Sequence, residues 1–130
     1  MSQVFAKLHR SFRFLVPLLV ALTLSACVCT MAPKAAALKP TADTLLEASK
    51  KDSFAQHQSE VQSLAARFQA DLDAVKAKPE CAPRAAEYRI WSNRILQTLN
   101  RWKTKNPNPL NPIFIDEQIS VINTEFSKVK

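Results

Sequence analysis

The sequence predicts an all-α body, and three observations carry that prediction. Glycine is absent from all 130 residues. Residues 42–78 also lack proline, and alanine, leucine, lysine, glutamine and glutamate, all good helix formers, dominate them. Apolar side chains in the same stretch recur mostly at three- and four-residue intervals, which lines one face of a helix.

The first helical region is predicted over 41–78, with Phe54, Val61, Leu64, Phe68, Leu72 and Val75 as its stripe. Ser53 followed by Gln56 has capping-box spacing, so the region reads either as one long helix or as a short helix and then a longer one. Pro79 and Pro83 mark a turn around Cys81. A second helix is predicted over 84–103, striped by Tyr88, Trp91, Ile95, Leu99 and Trp102, with Ile90 and Leu96 broadening the apolar surface. The three prolines of 106–112 break it, because each disfavours helical geometry in the residue before it.

Asn111 as cap and Pro112 at the first helical position then open a third helix, preferred over a strand at 113–115. Its stripe is Ile115, Ile119, Ile122, Phe126 and Val129. Asp116 and Glu117 near its start and Lys128 and Lys130 near its end suit the helix dipole. The predicted architecture is a small antiparallel three-helix arrangement, or a long helical hairpin with a C-terminal helix. Asp71, at a position a strict heptad would keep apolar, argues against a regular coiled coil.

Upstream of Thr41 the character differs. Residues 28–40, with two prolines and several alanines, read as a flexible tether. Before them Lys7, Arg10 and Arg13 precede an apolar run at 14–24, closed by the small residues Ser25 and Ala26. That order of charge, apolar core and small side chains is the layout of an export signal helix. The run is short for a span, which needs about 20 residues. A membrane anchor stretched over 12–28 is the competing reading. The chain thus divides into a signal at 1–26, an anchor and tether at 27–40, and a helical domain at 41–130.

Leu24-Ser25-Ala26-Cys27 resembles the lipobox of bacterial lipoproteins. The resemblance covers only residues 1–27. It implies a diacylglyceryl group on the Cys27 thiol, cleavage before Cys27, and acylation of the new amine. Two or three acyl chains hold a membrane far better than one, at about 0.8 kcal/mol per buried CH₂. Val28 stands where, in that family, an aspartate tends to retain the protein in the inner membrane. The resemblance therefore implies the periplasmic face of the outer membrane, with the inner membrane as the alternative.

Removing 1–26 lowers the excess positive charge from seven to four. The basic residues look scattered along the chain, and nucleic acid is a poor partner for an exported protein with no basic cluster in its sequence. His57 is the one histidine beyond the leader, and its neighbours Phe54 and Val61 favour a structural role. Asp71 and Asp73 point to different sides of a helix. No serine sits in a nucleophile motif, no spacing suits a metal, and no cofactor or catalytic residue is expected.

Cys29 and Cys81 would lie in an oxidising compartment, where a disulfide, free thiols or an intermolecular bridge are all open. An unbroken helix over 41–78 would run about 57 Å. The residues between Cys29 and Thr41 span only about 40 Å at full stretch, so an intramolecular bridge requires a bend around residues 50–53. Tyr88, Trp91 and Trp102 share a face, which reads as core packing or as an anchor for a protein partner. The expected function is a lipid-anchored, non-catalytic envelope protein that holds another envelope protein. An inhibitor of a cell-wall enzyme, or a helical lipid- or ligand-binding module with a pocket lined by Phe68, Trp91 and Trp102, is the alternative.

Overall fold

The computed structural model describes residues 29–130; the signal-like stretch, Cys27 and Val28 lie outside the described residues. The fold is all-α, with no strand among the described residues. Among the described residues there are four α-helices, α1 (Ala32–Ala48), α2 (Gln58–Lys76), α3 (Ala82–Lys105) and α4 (Pro112–Ser127). Short 3₁₀ turns at Phe54–Gln56 and Pro79–Cys81 precede α2 and α3.

The short-then-long reading of 41–78 is the one the structure adopts, and α1 corrects one expectation: the segment read as a flexible tether is helical from Ala32 onward. Its seam is Met31, Ala35, Leu38, Ala42 and Leu45, all buried, at intervals of four, three, four and three. Pro33 occupies the first turn, where a missing N–H costs nothing. Pro40 lies inside the helix and leaves the Ala36 carbonyl without its donor, but both residues are exposed and water reaches that group. The alanines of the seam let the neighbouring helices come close.

A break follows α1 where Ser53 and Gln56 predict one. The Ser53 N–H donates to Gln56 Oε1 at 3.1 Å, and the Gln56 N–H donates to the Ser53 carbonyl. Beyond it α2 buries Val61, Leu64, Phe68, Leu72 and Val75, the predicted face. In α3, Tyr88, Trp91, Ile95, Leu99 and Trp102 are fully buried. Full burial of a large apolar side chain is worth about 1.5–3 kcal/mol, so this helix anchors the core. Leu96 packs at the core's edge as expected, whereas Ile90 faces solvent. At the start of α4, Asn111 Oδ1 accepts from the Ile113 N–H at 2.9 Å and the Phe114 N–H at 3.4 Å, and helix prevails over strand.

The helices run alternately up and down. α1 and α3 each pack on all the other helices, while α2 and α4 flank them. At one end the Cys29–Cys81 bridge joins the entry of α1 to the α2–α3 turn, and the Met31 N–H donates to the Lys130 carbonyl at 2.8 Å. At the other end the Leu110 N–H donates to the Ser49 carbonyl, closing the exit of α1 on the α3–α4 loop. Midway, Arg94 on α3 holds the buried Glu125 on α4 through Nε and Nη2.

Candidate functional site

Cys27, the residue expected to carry lipid, lies outside the described residues. The structure begins two positions later at Cys29, which is bonded to Cys81 with their Cα atoms 4.9 Å apart. The bend required for that bridge is present. α1 descends about 26 Å over 17 residues and α2 returns about 29 Å over 19, which brings Cys81 back to the entry of α1. Cys81 is buried and Cys29 partly so, packed against the core. The chain is therefore fixed to its domain almost from its first described residue.

The partner-anchor reading of Tyr88, Trp91 and Trp102 is overturned, because all three are 0% exposed. Trp91 sits among Phe68, Tyr88 and Phe126, with ring centroids 5.4–5.6 Å apart. Phe68 and Trp91 fill the interior against each other rather than lining a shared pocket. Trp102 meets Phe54 edge-on and donates from Nε1 to the Asp52 carbonyl at 3.0 Å. These residues are structural. Their eleven-residue spacing places them on one helix face but does not say whether that face is covered.

The Tyr88 hydroxyl donates to Asp71 Oδ2 at 2.6 Å, so the acid that interrupts the heptad is a partner for a buried phenol. Burial first, and the adjacent Asp71 carboxylate second, push the Tyr88 pKa far above its usual value. His57 leans on the Trp102 ring and meets Asp52 Oδ2 through Nε2 at 2.8 Å, a clasp across the α1–α2 break. Asp73 is exposed and pairs with Gln69 on its own helix. Among the described residues no three His, Cys, Asp or Glu side chains gather as a metal site.

Sequence reasoning passed over the tip formed by the α3–α4 loop. A groove of about 560 Å³ opens there, lined among others by Arg101, Lys105, Leu110, Ile113 and Phe114. Ile113 is 71% exposed, the most exposed large apolar side chain among the described residues. The Arg101 guanidinium lies over the Phe114 ring, 4.4 Å from its centroid. Nearby, Lys50 bridges Asp116 and Glu47, and those hydrogen bonds, Asp116 first, raise its pKa. The only available signal was Ile113 and Phe114 lying beside the α4 stripe rather than in it.

Among the described residues no helix is long and apolar enough to cross a membrane. Compared with protein-family models, curated proteins and solved structures, the chain finds no match.

Proposed function

We propose that this chain is a lipid-anchored protein of a bacterial envelope, held at Cys27, whose helical body binds an envelope protein rather than catalysing a reaction. The lipobox-like Leu24-Ser25-Ala26-Cys27 is the basis for the anchor. One observation carries the rest: the body is pinned at Cys29 by the bridge to Cys81, two residues after the anchoring cysteine. Acyl chains on Cys27 then hold one end of the bundle at the membrane and turn the other outward. The outward end carries the groove around Ile113 and Phe114. An exposed apolar side chain beside an arginine stacked on an aromatic ring is common at protein interfaces.

The proposal is tested with a photo-crosslinking residue at position 113 in intact cells, and another at exposed Gln69 on the flank. The expected result is a discrete protein adduct from position 113 and none from position 69. Recovery of the protein only as an isolated monomer, under conditions where it functions, contradicts it.

A further inference from the structure

Basic residues that look scattered in the sequence converge in the fold. At the bundle end that carries the disulfide lie Lys34, Lys76, Lys78, Arg84, Lys128 and Lys130. The acids there are Asp73, Glu80 and Glu87. The other nine basic and eight acidic residues of 29–130 are nearly balanced, so most of the surplus positive charge sits at this one end. None of the six basic side chains is ion-paired among the described residues. Arg84, Lys128 and Lys130, with Pro83 and Glu87, line a shallow groove of about 360 Å³.

Helix dipoles explain only part of this. Lys76, Lys78, Lys128 and Lys130 lie at or just beyond the C-terminal ends of α2 and α4, where a cation is favoured anyway. Lys34 and Arg84 lie in the first turns of α1 and α3, where the dipole disfavours a cation. The dipole therefore does not account for these two.

We propose that this end of the bundle is a contact surface for anionic phospholipid headgroups, an inference that rests on the lipid-anchor reading of Cys27. The distance decides it. Cys29, which is pinned, lies two positions after Cys27 with only Val28 between them, a leash of at most about 7 Å. Charges are felt over about 8 Å at physiological salt. The basic end therefore cannot retreat far beyond a screening length from the headgroups. Lys78 and Lys130 are coupled most directly: the Lys78 carbonyl accepts from the Cys81 N–H, and the Lys130 carbonyl from the Met31 N–H.

The test uses the mature protein purified from membranes and placed in vesicles of phosphatidylcholine, alone or mixed with phosphatidylglycerol. Amine-reactive labelling is read lysine by lysine by mass spectrometry. Lys76, Lys78 and Lys128 should label about fivefold more slowly than Lys103 and Lys105 on anionic vesicles, and the contrast should fall away in high salt or on neutral vesicles. Replacing Lys34 and Arg84 together with glutamine should weaken the protection of Lys76, Lys78 and Lys128. On an acylated protein, equal labelling of the two ends, or equal protection on neutral and anionic vesicles, overturns the inference alone. An N-terminal peptide without acyl mass overturns the anchor and the inference together.

Discussion

Tyr88 gives the sharpest residue-scale prediction, because it is the only tyrosine in the chain and phenolate absorbance reports it without deconvolution. Its pKa is raised by burial and by Asp71, while the unfolded chain ionises near pH 10. A group with a raised folded pKa contributes stability that is complete below the unfolded value and lost as pH climbs above it. Phenolate should therefore stay absent from the native protein through pH 10 and emerge with unfolding at higher pH. Lys50, raised by Asp116 and Glu47, adds a loss of the same sign in the same alkaline window. Tyr88→Phe removes the bond to Asp71 and should cost about 1 kcal/mol in neutral denaturant titrations, with a flatter alkaline decline. A native phenolate signal near pH 10 would contradict the burial argument.

At the scale of elements, the Cys29–Cys81 bridge ties α1 to the α2–α3 turn across 52 residues of chain. A loop of that length is worth about 4 kcal/mol in the chain-entropy description. Cys81→Ser should lower stability by up to that amount, and hydrogen exchange should rise first in the opening turn of α1. An unchanged melting temperature and protected α1 amides would contradict it. The faces of α2, α3 and α4 were legible because large apolar residues mark them at helical spacing, and the Asn111-Pro112 start was legible from its cap. α1 was not legible in full. Its seam uses alanine at positions 35 and 42, and Pro33 and Pro40 resemble linker punctuation. Each proline is harmless for a local reason, one at a helix start and one facing water. Exposure of the aromatic stripe was illegible as well, since the first half of α1, which helps cover it, reads as a tether in the sequence.

For the whole molecule, anchoring at one end gives the proposed function a scale. α3, at 24 residues, is about 36 Å long, so the groove at the far tip would stand about 4 nm from the headgroups. A partner must come within that height, because no long tether remains: only Val28 separates Cys27 from the pinned Cys29. The most direct measurement is the mass of the N-terminal peptide of the mature protein taken from membranes without reduction. The expected result is a chain beginning at Cys27 with diacylglyceryl and amide-linked acyl mass, and Cys29 joined to Cys81. A chain that retains residues 1–26, or one with an unmodified Cys27 thiol, would contradict it.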